Sequence, residues 1–405
     1  MPKPAGRAAL AFIFVSIVLD IVAFGIIIPV LPKLVESFVG NDVSRAAEWV
    51  GVFGTVWALM QFICAPVLGA LSDRFGRRPV LLLSIAGLGL DYVFMALAPT
   101  LGWLMVGRII SGMTASGFAT ASAYIADVTE PENRAAAFGI VGAAWGFGFV
   151  VGPALGGILG ASDPRLPFWV AGILALLNAA YGFFVLPESL PKEKRATFSW
   201  ARANPMGSLR FLQAHRELFG LAGVSFLYNL GHTVFPSVFV LWASYQYGWD
   251  AKDVGIALAV VGIANIAVQG GLVRPLVRRL GARRAMAIGA TAGTVGFTLY
   301  GFAAVVPVFW VAIFLYAPAG VFNPSLMGVM SKRVASNEQG RLQGATSSLM
   351  GIAGMLGPAL FTLTFAWAIR PTSPIHMPGL PFLIAAVLFA SAGLLAMRST
   401  DPVKD

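Results

Sequence analysis

The chain contains few charged residues and almost no cysteine. Only 11% of its 405 residues are Asp, Glu, Lys or Arg, against about 25% in soluble domains, which excludes an ordinary soluble protein. The single cysteine, Cys64, excludes an internal disulfide and shows no metal-site spacing. We therefore expect no metal site and no cofactor.

Hydrophobic residues, in contrast, make up 58% of the chain, and its mean hydropathy is +0.79. This composition indicates a membrane protein whose surroundings are the lipid bilayer. The net charge of +10 is high enough to consider nucleic-acid binding. The basic residues are scattered through short loops and form no continuous stripe, so we expect no nucleic-acid partner.

A membrane-crossing helix needs roughly 20 apolar residues, and the sequence predicts twelve such spans. The run from about Ala8 to Leu31 is too long for a signal-peptide core, and we interpret it as the first span. One long polar segment, Glu188–Glu217, divides the spans into two groups of six. The predicted organisation is a six-helix bundle over 1–187, a linker over 188–217 and a second bundle over 218–405. The predicted spans lie near 8–32, 49–72, 79–99, 101–124, 135–158, 165–187, 218–244, 254–273, 284–304, 306–331, 341–366 and 379–397.

The two halves of the chain resemble each other. The segment from Gly69 to Arg78 has a diverged copy from Gly271 to Arg284, and one offset aligns Gly76 with Gly281. The same offset aligns Gly152-Pro153 with Gly357-Pro358. Two halves in parallel register are typical of one large class of secondary transporters.

The distribution of positive charge predicts the orientation. If the N-terminus is cytoplasmic, most of the 28 Lys and Arg residues fall on the cytoplasmic side, including those of the linker. Cytoplasmic loops carry an excess of positive charge. We therefore expect a multi-pass protein with both termini in the cytoplasm.

Three charged side chains lie inside predicted spans, where charge is costly. Asp20, Asp91 and Arg108 each lie roughly 18 Å from the cytoplasmic face, at a rise of about 1.5 Å per residue. Burial raises the pKa of a carboxyl group and a nearby guanidinium lowers it. We therefore predict that these groups couple proton movement to transport. The alternative is a permanent ion pair that only fixes helix packing.

Uncharged polar residues inside the spans are candidates for a substrate surface. Asn265 and Gln269 are four residues apart and share one helix face. His232 is the only histidine within a span. Interhelical hydrogen bonding is the alternative role for such residues. Together with Asp20 and Asp91, the substrate candidates are Gln61, His232, Asn265, Gln269 and Asn323; Asn178 and Asn229 are further polar residues of the spans.

The fifth span is rich in glycine. Gly148, Gly152 and Gly156 recur every four residues and form a smooth face for close helix approach. Pro153 removes one backbone hydrogen bond and favours a kink. These features are typical of helices that bend or slide, and tight static packing explains them as well.

Transport is favoured over two other classes. A membrane-embedded hydrolase needs a nucleophile with a base or a metal cluster, and no acidic pair with a nearby histidine lies in any predicted span. A ligand sensor would add a soluble output domain, and no loop is long enough for one. We therefore expect that the protein is not an enzyme.

With these motifs the chain resembles the major facilitator superfamily, and specifically the tetracycline/proton antiporter branch of its drug-efflux members. Span 1 carries Leu19-Asp20, Gly25 and Pro29 to Pro32, and span 3 carries Asp91-Tyr92. The loop after span 2 matches the superfamily signature through Gly69, Asp73, Arg74, Gly76, Arg77 and Arg78. Span 4 matches the proton-coupling motif through Gly107-Arg108 and Gly112, and span 5 the antiporter motif through Gly148, Gly152, Pro153, Gly156 and Gly157.

The resemblance implies an all-α fold of twelve transmembrane helices in two pseudo-symmetric bundles, in a bacterial inner membrane. It implies a proton-coupled antiporter that exports a small amphipathic, tetracycline-like compound by alternating access. It also implies that Asp73 anchors a conformational latch with Arg134. We expect a monomer whose partners are its small-molecule substrate and protons.

The C-terminal half departs from the tetracycline pattern. That branch has a histidine in span 8 where this chain has Asn265, and an aspartate in span 9 where it has Gly293; Gln269 is retained. The alternative function is therefore transport of a dedicated metabolite with a different coupling mode.

Overall fold

A computed structural model describes residues 7–115, 117–129, 134–198, 204, 211–212, 215–335 and 338–400. These ranges contain sixteen α-helices with described ends, a further two helical residues at 211–212, and no β-strands. The helices are α1 (Arg7–Ile27), α2 (Leu31–Phe38), α3 (Val43–Phe75), α4 (Arg77–Leu97), α5 (Leu101–Thr114), α6 (Gly117–Val128), α7 (Arg134–Ser162), α8 (Leu166–Val185), α9 (Arg216–His232), α10 (Val234–Tyr247), α11 (Ala251–Ala267), α12 (Val273–Gly301), α13 (Val306–Tyr316), α14 (Phe322–Lys332), α15 (Gln339–Ile369) and α16 (Leu380–Ser399).

Ten helical segments of the described chain are long and apolar enough to cross a membrane. One of them, Ala251–Gly301, is 51 residues long and covers two of the predicted spans. The predicted fourth span is divided between α5 and α6, each of which is too short to qualify alone. These two cases account for the difference between ten segments and twelve predicted spans. The predicted all-α membrane fold is confirmed.

Helix ends follow local sequence signals. The Asp42 carboxylate accepts a hydrogen bond from the backbone N–H of Arg45 at 3.1 Å and so caps the start of α3. Asp250 does the same for Asp253 at 2.9 Å before α11. The breaks before α4 and inside α12 place Gly76 and Gly281 at φ of 108° and 78°, a region that favours glycine.

The chain forms two compact units. Unit 1 comprises residues 1–38, 56–204 and 250–262, and unit 2 comprises 39–55, 205–249 and 263–405. Each unit thus consists mainly of one half of the chain with a short segment from the other. In unit 1, α1 packs against α7 and α8, and α4 against α8. In unit 2, α9 packs against α15 and α16, and α12 against α16.

The internal repeat is also visible in helix-end contacts. In unit 1, the Arg78 guanidinium donates to the carbonyl of Phe183 near the end of α8, at 2.5 Å. In unit 2, the Arg283 guanidinium donates to the carbonyl of Met397 near the end of α16, at 3.0 Å. Arg78 and Arg283 are related by the sequence offset, so each repeat ties its last helix to its third-span helix in the same way.

Apolar side chains cover the outer surface of individual helices. Leu83, Leu90 and Leu97 recur every seven residues along α4, and each is more than 60% exposed. Val387 and Leu394 on α16 follow the same spacing. Rows of exposed leucine and valine at helical periodicity are what a lipid-facing surface requires.

Candidate substrate and proton site

The three charges predicted inside the spans all lie in unit 1. Asp91 on α4 is 1% exposed and Arg108 on α5 is 9% exposed, whereas Asp20 on α1 is partly buried. Arg108 interacts electrostatically with Asp91. Tyr92 lies within electrostatic reach of Asp20, Asp91 and Arg108. All three charges therefore act on the same phenol.

Asp91 and Arg108 are neighbours without being a direct ion pair. Within the described chain no salt bridge joins them. Neither Asp91 carboxyl oxygen makes a hydrogen bond of good geometry, although the Ser111 side chain lies near enough to interact with the carboxyl group. The Arg108 Nε is also without a partner. A methyl group in place of the Gly107 hydrogen would lie 3.1 Å from Asp91 Oδ1, so the carboxyl group packs on the α5 backbone. Asp91 and Arg108 therefore do not form an ion pair in this conformation.

Asp20 has an uncharged partner instead. The Asn178 amide on α8 donates to Asp20 Oδ1 at 3.2 Å and to the carbonyl of Ser16 at 3.0 Å. Asn178 is fully buried, so α8 fixes the orientation of the carboxyl group on α1. Sequence reasoning named Asn178 only as a polar residue of the span; its position opposite Asp20 arises from the packing of α1 on α8.

Trp57 on α3 is a member of this site that sequence reasoning missed. The Arg108 guanidinium carbon lies 5.3 Å from the centre of its ring. Its Nε1 donates to Ser111 Oγ at 3.2 Å, and its ring stacks on Phe24 of α1 at 6.0 Å. Aromatic residues are common in a membrane protein, so only the tertiary contact distinguishes this one.

A charged cluster lies where α3 ends and α4 begins. The Arg77 side chain forms a salt bridge with Asp73 and a second with Asp127 of α6 at 3.1 Å. Ser189 also donates to Asp127, at 3.2 Å. Asp73, near the end of α3, therefore has a basic partner at the first residue of α4. The side chain of Arg134, its predicted partner, lies outside the described residues.

A carboxylate from the segment after α8 completes this cluster. Glu188 Oε1 accepts from the backbone N–H of Arg77 at 2.9 Å, which places negative charge at the N-terminus of α4. A methyl group at Gly76 would lie 2.1 Å from Glu188 Oε2, so the Glu188 side chain would have to move. The φ of 108° is what favours glycine at this position. Gly69 contributes its carbonyl to the Ser72 hydroxyl at 2.8 Å, and Arg74 lies exposed over the Phe75 ring.

The glycine face of α7 packs on α1. A methyl group at Gly148 would lie 2.4 Å from Ile21, one at Gly152 would lie 2.7 Å from the Gly25 Cα, and one at Gly156 would lie 2.1 Å from the Ile26 carbonyl oxygen. Gly157 faces the Ala251 carbonyl of α11, and Pro153 lies inside the helix. The backbones of α1 and α7 are therefore in close contact.

The substrate candidates of unit 2 lie on several helices. The Gln269 amide donates to Asn265 Oδ1 at 3.0 Å, and both side chains are exposed. Asn265 faces Gly320, and Asn323 follows at the start of α14. The His232 ring is exposed and lies 5.8 Å from Tyr228. Gln61, the remaining candidate, lies partly buried on α3 in unit 1.

Comparison with known proteins decides the family. The family model described as the Major Facilitator Superfamily matches residues 13–358 and 221–404. The chain belongs to this superfamily. It is therefore a transporter and not an enzyme, and a multi-pass membrane protein that moves a small-molecule substrate.

Relatives of this facilitator include tetracycline resistance proteins. It is 37% identical to the class C tetracycline resistance protein of Escherichia coli over 94% of both chains. It is 39% identical to the class G protein of Vibrio anguillarum over 86% of this chain and 88% of that one. The crystal structure of the human organic anion transporter MFSD10 matches with a TM-score of 0.72 and 25% identity, over 97% of this chain and all of that one. The resemblance to the tetracycline branch is confirmed.

The facilitator departs from the tetracycline pattern at a position that its structure explains. A methyl group at Gly293 on α12 would lie 2.1 Å from Cδ1 of Phe389 on α16. Phe389 is fully buried and its ring also contacts Tyr228 and Phe297. An aromatic ring thus occupies the space beside Gly293, so an acidic side chain could not be added there without moving Phe389.

Proposed function

We propose that this facilitator exports a small amphipathic, tetracycline-like compound in exchange for protons, by alternating access. Membership in the superfamily supports transport, and the resemblance to tetracycline resistance proteins supports export of a drug-like compound. The cytoplasmic location of both termini, expected from the positive charges, is part of the proposal.

The observation that carries the proposal is the state of Asp91. Its carboxyl group is buried in a membrane-spanning helix beside a guanidinium with which it forms no salt bridge. An ionised group in such a place is costly without a partner. A carboxyl group that can be neutralised either by a proton or by Arg108 has the two states that proton coupling requires.

Asp20 supplies the second acidic group of the proposal. It is held by the Asn178 amide and is partly accessible, which suits a group that receives protons from water or contacts a substrate. In the proposed cycle, Asp20 and Asp91 exchange protons and contact substrate, and Arg108 biases their protonation through its positive charge. Gln61, His232, Asn265, Gln269 and Asn323 are the proposed polar contacts of the substrate.

The charged cluster around Asp73 is the proposed conformational latch. Its salt bridge to Arg77 and the cap from Glu188 join the loop after α3 to the segment after α8. Contacts that exist in one conformation only would bias the equilibrium between two conformations.

Transport into inverted membrane vesicles tests the proposal, with tetracycline as the first probe and an imposed pH gradient as the driving force. We expect Asp20→Asn to abolish uphill uptake while its amount in the membrane stays unchanged, because the amide cannot exchange a proton. Asp163→Asn is the matched control, since Asp163 lies exposed in the loop between α7 and α8. Proton-driven uptake by Asp20→Asn at the unmodified rate would contradict the proposal.

A dedicated metabolite is the second candidate substrate. The ring of Phe389 beside Gly293 and the amide at Asn265 leave this part of unit 2 without the histidine and aspartate of the tetracycline pattern. A resistance screen in a drug-hypersensitive host separates the candidates. Protection against tetracyclines or several amphipathic compounds supports drug export, whereas protection against none of them favours the metabolite.

A further inference from the structure

Trp57 makes three defined contacts that the proposed function does not yet use. The first is with the Arg108 guanidinium, 5.3 Å from the ring centre. The second is the hydrogen bond from Nε1 to Ser111 Oγ, at 3.2 Å. The third is the stacked contact with Phe24, at 6.0 Å and an interplanar angle of 26°. Together they fix the ring from α1 and α5, so that its face is held toward Arg108.

A tryptophan face attracts a guanidinium strongly. The attraction is about 0.5–1 kcal/mol at exposed sites and about 2 kcal/mol where water is excluded. Arg108 is 9% exposed, so its contact with Trp57 belongs toward the desolvated end of this range. The ring offers the buried guanidinium a partner that carries no charge and takes up no proton.

The contact of Arg108 with Trp57 affects whether the Arg108 guanidinium can pair with Asp91. The two side chains are close enough to interact electrostatically, yet no salt bridge joins them within the described chain. The backbone does not keep them apart, because the Asp91 carboxyl group already packs on α5 next to Gly107. The Arg108 guanidinium lies over the Trp57 ring instead of pairing with the Asp91 carboxylate.

We propose that Trp57 is a positioning residue for proton coupling, whose ring holds the Arg108 guanidinium away from Asp91 and leaves that carboxyl group free to bind a proton. The proton comes from water and returns to water, so no other reactant is involved. The inference rests on the proposed function for its role in transport, whereas the contact itself is testable without transport.

The charged and titratable groups around Asp91 are few. Arg108 approaches from α5, Asp20 belongs to α1, and Tyr92 follows Asp91 on its own helix. The Asp20 carboxyl group is held by Asn178 of α8. Of these groups, Arg108 supplies the positive charge, so moving its guanidinium has the largest effect on proton binding at Asp91.

Infrared spectroscopy of the purified full-length protein tests the inference. The carbonyl stretching band of the protonated Asp91 carboxyl group is assigned by its loss in Asp91→Asn and is followed as the pH rises. In Trp57→Leu the guanidinium is free to pair with Asp91 and to stabilise the carboxylate. We expect the midpoint at which the band disappears to move to lower pH by about one unit, a tenfold change in proton affinity.

Two further variants distinguish the effect of the Trp57 ring face on the midpoint from general effects on packing. Trp57→Phe keeps an aromatic face without the hydrogen bond to Ser111, and we expect less than half of the shift. Trp103→Leu, on the same helix as Arg108 but with an exposed side chain, should leave the midpoint unchanged. If Trp57→Leu cannot be purified, Trp57→Phe alone carries the test, and a midpoint that does not move to lower pH overturns the inference.

The remaining outcomes are equally decisive. An unmoved midpoint in Trp57→Leu, an equal shift in Trp57→Phe, or the same shift in Trp103→Leu would each overturn the inference. The band requires neither substrate nor gradient, so these results do not depend on proton-driven export. Conversely, vesicles that show no proton-driven export by the unmodified protein would refute the proposed function and leave the positioning of Arg108 standing.

Discussion

Of the three glycines on the face of α7 that packs on α1, Gly156 has the least room for a side chain, and Gly156→Ala is therefore a sensitive test of this packing. The added methyl group would lie 2.1 Å from the Ile26 carbonyl oxygen and 2.8 Å from the Ile26 carbonyl carbon. Both are backbone atoms, so no side-chain rotation can relieve the overlap. The helices would have to separate by roughly 1 Å, a gap that forfeits a quarter to a half of each dispersion contact nearby.

The expected loss of stability combines two opposing effects. Overpacking of a close interface costs about 1–3 kcal/mol, and replacing glycine by alanine inside a helix gains about 1 kcal/mol. We expect a net loss of about 1–2 kcal/mol for Gly156→Ala. For a unit of about 200 residues this corresponds to a melting temperature lower by about 2 to 8 °C.

Gly142→Ala on the same helix is the matched control. A methyl group at Gly142 would meet no atom within 4 Å, so only the gain in helix propensity remains. The two variants should therefore change the melting temperature in opposite directions. The measurement is the monodisperse peak of detergent-purified protein in size-exclusion chromatography after heating. A Gly156→Ala protein as stable as Gly142→Ala would refute the close contact of α1 and α7.

Two further changes test the charged cluster and the aromatic filling of unit 2. Asp73→Asn removes the charge that pairs with Arg77, and in vesicles we expect several-fold slower turnover with nearly unchanged substrate affinity; an unaltered rate would count against a latch. Gly293→Ala should destabilise the protein by about 1–3 kcal/mol because its methyl group meets the Phe389 ring. Thermal unfolding should show a smaller loss when Phe389→Leu is already present, and equal losses in both backgrounds would show that the ring does not occupy this space.

Composition and repeats predicted the all-α membrane fold because both depend on local sequence. A run of apolar residues predicts a membrane span by its length alone. The correspondence between Gly76 and Gly281 is visible in the sequence without any knowledge of packing. The prediction that Asp20, Asp91 and Arg108 form one site rests on their depth alone. Depth depends on the helical rise, which is nearly constant.

The partners of these charges could not be predicted in this way. The rotation of one helix against another decides where a side chain lies, and hydropathy does not reveal this rotation. The positions of Asn178, Trp57 and Phe389 depend on it. Sequence reasoning gave Asp73 a distant partner in Arg134, whereas the described partner, Arg77, is four residues away. A spacing of four lies on one face of a helix only if the chain stays helical, and Gly76 interrupts the helix here.

The matching bonds from Arg78 and Arg283 to the ends of α8 and α16 have a consequence for how this transporter responds to acid. A guanidinium keeps its charge at any pH that a cell experiences, and a carbonyl oxygen does not titrate. These two contacts therefore do not depend on whether the carboxyl groups of Asp20 and Asp91 carry protons. In unit 1 this contact joins α4, which carries Asp91, to α8, which carries Asn178, the partner of Asp20. Under the proposed mechanism, protonation of either carboxyl group would therefore leave this connection between the helices in place.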